Sequence, residues 1–141
     1  MKQHRLIIDA SHTHVRAACN WLHETLSRSL TNEKLYELEL ATSEILTNIV
    51  RHACDDAPPT CCIYVTVTIY ENMVRVFFVD NGKQMPAFIA SSLNDTSRKT
   101  TLPDDLDEGG RGIFLIKSCV DKARYRRFGP HNVMLIVSSR E

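Results

Sequence analysis

The sequence predicts an α+β fold, a two-layer α/β sandwich in which a mixed, mostly antiparallel sheet carries three helices on one face. One pair of segments rich in β-branched residues, and a second pair near the C-terminus, are each joined by a short turn, and three other segments have apolar residues at helical spacing. The chain has 141 residues, the usual size of one domain. We therefore expect a single domain over residues 1–141.

The first half of the chain contains one predicted strand and two predicted helices. Residues 6–8 form a short apolar run, and Ser11 has the side chain of an N-cap for a helix whose apolar residues recur as far as Leu30. Apolar residues at helical spacing return over residues 35–49, and this second helix is expected to end before Pro58.

The second half contains two predicted hairpins with a helix between them. The β-branched segments 61–70 and 74–79 flank a polar turn, and a second pair of strands is predicted at 123–128 and 133–138. Residues 129–132 are expected to form the turn of that second hairpin. The helix follows a glycine-rich segment, and its apolar residues extend over 113–120.

A long polar stretch separates the first hairpin from the third helix. Residues 91–101 are almost all polar, and an acidic run follows at 104–108. Loops of this length inside a compact domain are more often lids or binding loops than plain connections. We expect a functional lid at about residues 87–108, while an inert insertion stays the alternative.

Charge and hydropathy exclude two classes of partner. The chain has 17 basic and 17 acidic residues and a net charge of zero, so no overall field favours nucleic acid or an anionic membrane. In the basic segment 124–127, strand alternation sends Arg124 and Arg126 to one face and Tyr125 to the other. No apolar run is long enough to span a membrane, and the N-terminus does not resemble a signal peptide. We expect a cytoplasmic protein.

The five cysteines lack the paired spacing of zinc sites. Their odd number and scattered positions favour free thiols in a reducing compartment over a disulfide framework. We therefore expect all five to act as small apolar residues.

The second predicted helix carries a carboxylate and a carboxamide on one face. Glu44 and Asn48 are four residues apart and therefore lie one turn from each other. An Asn oxygen is a suitable hard ligand for Mg²⁺, and a neighbouring Glu can accept a proton from an attacking hydroxyl. The alternative is that both residues occupy the solvated side of an amphipathic helix.

An Asp-Asn-Gly segment follows the strand at 74–79. Asp80 at a strand end can place a carboxylate at the mouth of a pocket, and Gly82 lets a flat ligand approach the backbone. The same segment is also an ordinary turn.

A third glycine-rich segment precedes the third helix. Gly109, Gly110 and Gly112 flank Arg111, and free N–H groups at a helix start form a ready site for an anion. Such helix starts also occur without phosphate, and the segment is neither a P-loop nor a Rossmann fingerprint.

Together the three segments resemble the sequence boxes of the GHKL (histidine-kinase-like ATPase) superfamily. Glu44-x-x-x-Asn48 with His52-Ala53 is similar to its N box, and Asp80-x-Gly82 to its adenine-binding box. Gly110-x-Gly112 is similar to its phosphate-binding glycine box. Order, spacing and the intervening lid agree over nearly the whole chain. A Glu four residues before the Asn, in a domain of this length, resembles the anti-sigma-factor serine/threonine kinases.

The resemblance implies roles for individual residues. Glu44 is the expected general base, and Asn48 the expected Mg²⁺ ligand. Asp80 is expected to accept the adenine amino group. The other expected ATP-binding residues are Arg51, Gly82, Gly110, Arg111 and Gly112. One position departs from the family pattern, because Gln84 stands where many members have a second glycine.

The implied activity is that of an ATP- and Mg²⁺-dependent serine/threonine-protein kinase acting as an anti-sigma factor. Its implied partners are an anti-sigma-factor antagonist, which accepts the phosphoryl group, a sigma factor, and a second copy of the chain in a homodimer. One alternative is a binding module in which ATP only sets conformation. Another is a regulator of a different partner-switching output.

Overall fold

The computed structural model describes residues 1–54, 61–96 and 108–141, and the side chains of residues 108–111 lie outside that description. Within these ranges the chain forms five strands, four α-helices and one π-helical turn. They are β1 (Lys2–Asp9), α1 (His12–Leu26), α2 (Asn32–Asn48), the π-helical turn (Ile49–Ala53), β2 (Cys62–Ile69), β3 (Met73–Asp80), α3 (Ala87–Asn94), α4 (Glu108–Cys119), β4 (Lys122–Phe128) and β5 (His131–Ser139). None of the described helices is long and apolar enough to cross a membrane.

The described strands form one sheet in the order β1-β2-β3-β5-β4, and every neighbouring pair is antiparallel. Both predicted hairpins are present, β2 with β3 and β4 with β5. The N-terminal strand adds to the edge of the first hairpin, where Leu6 pairs with Val65. The predicted α+β fold is confirmed, with a sheet that is antiparallel rather than mixed over the described strands.

Side-chain capping fixes the starts of the first two helices. The Ser11 hydroxyl accepts a hydrogen bond from the His14 N–H at 3.4 Å, and the Thr31 hydroxyl accepts one from the Lys34 N–H at 3.2 Å. Each bond satisfies an N–H group that has no partner within the helix. The predicted N-cap at Ser11 is therefore confirmed.

One face of the sheet and the apolar sides of the helices share a single core. Alternate residues of β3 are buried, including Val74, Val76 and Phe78, and α2 contributes Leu38 and Leu46 with no exposed surface. Each fully buried side chain of this kind stabilises the fold by about 1.5–3 kcal/mol relative to an exposed one. This core fixes the position of α2 over the sheet.

The opposite face of the sheet also carries apolar side chains. Ile7, Tyr64, Val79 and Val133 are register partners across four strands, and we call this row the outer sheet face. Ile7 is 63% exposed and Tyr64 44% exposed. Uncovered apolar surface of this kind commonly marks an interaction site.

The structure has a fourth helix, α3, that the sequence did not predict. It occupies the start of the segment after the first hairpin, where a loop was expected. Leu93 is 1% exposed, and Lys117 of α4 donates to the carbonyl groups of Ser92 at 2.8 Å and Asp95 at 3.0 Å. A cation at the last carbonyls of a helix satisfies its free acceptors. The helix has only eight residues, too few to show a clear helical repeat or to be stable alone, so tertiary contacts decide its formation. Residues 97–107 of the predicted lid lie outside the described residues.

The expectation that all cysteines are free is wrong, because Cys54 and Cys61 form a disulfide. Their Cα atoms lie 6.1 Å apart, within the range that a disulfide can bridge. The end of the π-helical turn and the start of β2 bring them together, which their spacing in the sequence does not reveal. Cys19, Cys62 and Cys119 are free.

Candidate nucleotide-binding site

A cavity of about 510 Å³ opens where the end of α2 and the π-helical turn meet α3, α4 and the sheet. Its volume is in the range of small-molecule sites. The polar residues that line it are Asn48, His52, Asp80, Lys83, Gln84, Tyr125 and Asn132. Its apolar walls include Ile45, Met85, Ile89, Ile113 and Met134. A few polar groups in an apolar cavity suit a flat heterocycle with polar edges.

Glu44, Asn48 and Gly112 meet where α2 packs against α4. A Cβ atom at Gly112 would lie 2.7 Å from Glu44 Oε1 and 3.2 Å from Asn48 Nδ2. Only a glycine leaves room for both side chains against the first turns of α4. The structure therefore brings together residues from two of the predicted boxes.

A π-helical turn follows Asn48 directly. It ends at Ala53, whose carbonyl oxygen accepts a hydrogen bond from the Lys83 N–H at 2.7 Å. A Cβ atom at Gly82 would lie 2.3 Å from that same oxygen, so this close approach requires a glycine. Turns of this type occur often at functional sites. Here it joins the end of α2 to the segment that carries Asp80.

Two predicted residues of the first box lie at the exposed side of this turn. Arg51 and His52 are both exposed, and His52 lines the cavity whereas Arg51 is not among its lining residues. Gly110 and Arg111 belong to the first turn of α4, and the side chain of Arg111 lies outside the described residues. The glycine-rich segment is thus part of the helix, which begins at Glu108 rather than after Gly112.

Asp80 is the buried acidic group of the cavity and is 3% exposed. Its Oδ1 atom accepts hydrogen bonds from the Gly82 N–H and from Asn132 Nδ2, both at 2.8 Å. Burial raises the pKa of the Asp80 carboxyl, whereas these two hydrogen bonds and the nearby charges of Arg127 and His131 lower it. The carboxyl group is held in one orientation at the cavity wall.

Asn132 and Tyr125 are site residues that the sequence analysis missed. Asn132 was expected in the turn of the second hairpin, but it lies in β5 and is 4% exposed. The turn is shorter than predicted, and Gly129 in it has a φ of +54°. A signal was present, because strand alternation counted back from Ile136 through Met134 places Asn132 on the buried face.

Comparison with known proteins shows the family to which the chain belongs. The family model described as histidine kinase-like ATPase domain matches residues 8–138. Serine-protein kinase RsbW of Halalkalibacterium halodurans is 30% identical over 98 residues, which cover 68% of this chain and 57% of that protein. The protein of the same name from Staphylococcus aureus is 29% identical over 92 residues, which cover 65% of this chain and 58% of that protein. The matched segments thus span less than two thirds of both relatives.

Solved structures share the fold at lower sequence identity. The RsbU and RsbW domains of a Mycobacterium tuberculosis protein superpose with a TM-score of 0.65 at 16% identity, covering 100% of this chain and 34% of that one. The mycobacterial sensor histidine kinase MprB gives a TM-score of 0.55 at 15% identity, covering 95% of this chain and 97% of that one. Because the family model matches residues 8–138, nearly the whole chain, the chain belongs to the histidine kinase-like ATPase domain family.

Proposed function

We propose that this protein is a cytoplasmic, Mg-ATP-dependent serine/threonine-protein kinase that acts as an anti-sigma factor in a partner-switching pathway. The observation that carries the proposal is the contact of Glu44 and Asn48 with Gly112, beside a cavity that Asp80 lines. The similarity to serine-protein kinase RsbW supports a protein as the phosphoacceptor.

Asn48 and Glu44 fit a magnesium ion, because the Glu44 carboxylate and the Asn48 carboxamide lie on one face of α2 next to the first turns of α4. In this proposal Asn48 would hold the ion, and the ion would supply positive charge to neutralise the phosphate oxygens. Mg²⁺ commonly takes one or two protein ligands and completes its shell with water and phosphate. One carboxamide on this face is therefore sufficient.

The remaining residues position the nucleotide. Asp80 accepts a hydrogen bond from the amino group of adenine, and Gly82 keeps the backbone close to the base. Gly110, Arg111 and Gly112 border the phosphates at the start of α4, where free N–H groups favour an anion. Arg51 contacts the phosphates or the protein partner from the exposed side of the π-helical turn.

In the proposed reaction Glu44 acts on the acceptor hydroxyl. Its carboxylate takes the proton of a serine or threonine hydroxyl, whose oxygen forms a bond to the γ-phosphorus. The bond from that phosphorus to the bridging oxygen breaks, and ADP leaves with the electron pair. Catalysis of this kind relies on positioning and charge stabilisation. The protein contributes both through α2 and the first turns of α4.

Partner exchange follows from the charge that the reaction adds. The phosphorylated antagonist gains about two negative charges, which weaken an interface by repulsion and desolvation. The kinase is then free to bind a sigma factor. We propose that the kinase binds the sigma factor as a homodimer. The two subunits pack against each other through the outer sheet face, because Ile7 and Tyr64 are exposed there.

The decisive experiment compares Glu44→Gln with Glu33→Gln, a control on the same helix. Glu33 lies about 16 Å away along the helix axis, in the first turn of α2. We expect Glu44→Gln to bind Mg-ATP normally but to transfer phosphate to the antagonist about 100- to 10,000-fold more slowly. Mass analysis of the antagonist measures transfer. If the wild-type protein binds ATP but does not phosphorylate the antagonist, the binding module is favoured instead.

A further inference from the structure

A buried chain of hydrogen bonds leads from Asp80 to the main chain beyond the cavity. Asn132 Nδ2 donates to Asp80 Oδ1 at 2.8 Å, and the Tyr125 hydroxyl donates to Asn132 Oδ1. The same hydroxyl accepts a hydrogen bond from the Met85 N–H at 3.0 Å. Asp80, Asn132 and Tyr125 are 3%, 4% and 6% exposed. Buried networks with every member satisfied hold their side chains rigidly.

The carboxamide of Asn132 uses its full hydrogen-bonding capacity. Its two N–H groups point to Asp80 Oδ1 and to the Lys83 carbonyl oxygen, both at 2.8 Å. Its oxygen accepts from Tyr125 and from Arg127 Nη1, the latter at 3.1 Å. The reversed amide would set its oxygen against two other acceptors, so the partners dictate this orientation.

This arrangement leaves one carboxylate oxygen for a ligand. Both hydrogen bonds that Asp80 accepts from the described residues end on Oδ1, one from Asn132 and one from the Gly82 N–H. Oδ2 therefore remains to accept a hydrogen bond in the cavity that Asp80 lines.

We propose that Asn132, fixed by Tyr125, is a positioning residue that sets the selectivity of Asp80 for a 6-aminopurine over a 6-oxopurine. The inference rests on the proposed nucleotide-binding function and deepens it. A carboxylate oxygen accepts a hydrogen bond from an exocyclic amino group, but it repels the lone pairs of a 6-oxo group. A protonated or rotated Asp80 loses this discrimination.

The protonation state of Asp80 depends on the same contact. Burial raises its pKa, and the hydrogen bond from Asn132 is the first of the interactions that oppose this rise. The other opposing groups are the Gly82 N–H, Arg127 of β4 and His131 of β5. Lys83 and His52 are further ionisable groups that line the cavity. Without the Asn132 donor, the carboxyl takes up a proton at higher pH.

Tyr125 can be tested separately from the fold of its strand. The Asn94 side chain holds the main chain of Tyr125, accepting from its N–H at 2.7 Å and donating to its carbonyl oxygen at 3.0 Å. Tyr125 also pairs with Met134 across the hairpin. Tyr125→Phe therefore removes the bonds to Asn132 and Met85 while the strand stays in register.

The experiment measures Kd for Mg-ATP and Mg-ITP by calorimetry, from mildly acidic to mildly alkaline pH. Wild type is expected to prefer ATP at least about 100-fold, since sites built around a hydrogen bond reject ligands that lack it. In Asn132→Leu we expect this ratio to fall at least about tenfold. Its ATP affinity should also start to fall at a higher pH than in wild type as the solution is acidified. Tyr125→Phe should change the ratio in the same direction by less.

Two further variants separate positioning from general destabilisation. Asn132→Ser keeps a hydrogen-bond donor on β5 and should recover part of the selectivity for ATP over ITP. If Asn132→Leu does not fold, Asn132→Ser and Tyr125→Phe are compared with wild type instead. Ile136→Val changes a fully buried residue of the same strand, outside the cavity lining. We expect it to leave both the ratio and the pH profile unchanged.

The possible failures are distinguishable. Parallel losses of ATP and ITP affinity in Asn132→Leu, with the ratio and pH profile of wild type, overturn the inference alone. Wild-type protein that binds neither nucleotide overturns both the inference and the proposed kinase.

Discussion

Glu44 Oε1 lies 2.7 Å from the position that a Cβ atom would occupy at Gly112. The absence of one methyl group on α4 is therefore what allows the carboxylate of α2 to reach the first turns of the neighbouring helix. Asn48 depends on the same space, at 3.2 Å. Two side chains proposed for proton transfer and metal binding are thus positioned by a glycine that carries no chemistry of its own.

Gly112→Ala should impair phosphoryl transfer more than stability. The new methyl group meets the end of a flexible side chain, so Glu44 moves aside and the fold persists. Alanine also favours a helix by about 1 kcal/mol over glycine. We expect transfer to fall at least about tenfold, since small misplacements of catalytic groups are costly. Unchanged transfer, measured on the antagonist beside urea unfolding curves, would contradict the proposed role of this contact.

Gly82→Ala should destabilise the protein, in contrast to Gly112→Ala. Its Cβ would lie 2.3 Å from the Ala53 carbonyl oxygen and 2.5 Å from the carbonyl carbon. Backbone atoms cannot move aside as a side-chain end does, and the hydrogen bond from the Lys83 N–H is disrupted. We expect a loss of about 1–3 kcal/mol in the free energy of unfolding. A urea midpoint equal to that of wild type would show that the π-helical turn adjusts freely.

Asp80→Asn should abolish ATP binding without lowering the stability of the nucleotide-free protein at neutral pH. Burial raises the pKa of Asp80 in the folded state, so its contribution to stability is full below the unfolded pKa and declines as pH rises through the folded pKa. The neutral amide avoids that decline. The stability of the variant relative to wild type should therefore increase as the pH is raised from acidic to neutral.

Denaturation curves across that pH range, with and without Mg-ATP, measure both effects. At an ATP concentration of about 100 times Kd, ATP should raise the free energy of unfolding of wild type by about 2.7 kcal/mol and leave that of the variant unchanged. An ATP-dependent gain of equal size in Asp80→Asn would remove this carboxylate from base recognition.

The Cys54–Cys61 disulfide should contribute measurably to stability under oxidising conditions. The two residues are separated by seven positions, and closing a loop of this size stabilises by about 2–3 kcal/mol in the chain-entropy model. Cys54→Ser should lose that amount, whereas Cys62→Ser, at a neighbouring free cysteine, should not. With excess dithiol reductant, wild type and Cys54→Ser should unfold alike. If wild type remains more stable than Cys54→Ser in the presence of reductant, the loss comes from side-chain packing rather than from the disulfide.

A charge on the outer sheet face should dissociate the proposed homodimer. Ile7→Glu places a carboxylate on a side chain that is 63% exposed, which would be buried without a partner in the dimer. Tyr36→Glu on α2 is the matched control, since Tyr36 is 62% exposed but lies in the helical layer. Sedimentation velocity should give a monomer for Ile7→Glu and a dimer for the control. Dimers in both variants would place the interface elsewhere.

Local sequence signals were sufficient for the strands, the hairpins and three of the helices. Period-two alternation in β3 and the N-cap at Ser11 are encoded by neighbours in the chain, so β3 and the start of α1 form where the pattern predicts them. Helix α3 was missed because its eight residues are too few to show a helical repeat, and its stability comes from Lys117 and the burial of Leu93. Such contacts join distant segments and leave little trace in a local pattern.

The sequence by itself determined the fold class, the three boxes and the face of α2 that carries Glu44 and Asn48, since helical spacing fixes which side chains are neighbours. Only the tertiary structure decided that Asn132 and Tyr125 hold Asp80, that Cys54 bonds to Cys61, and that Gly82 and Gly112 are sites of close approach. Each of these depends on how separate segments pack. Packing is set by the whole core at once, and no short stretch of sequence contains it.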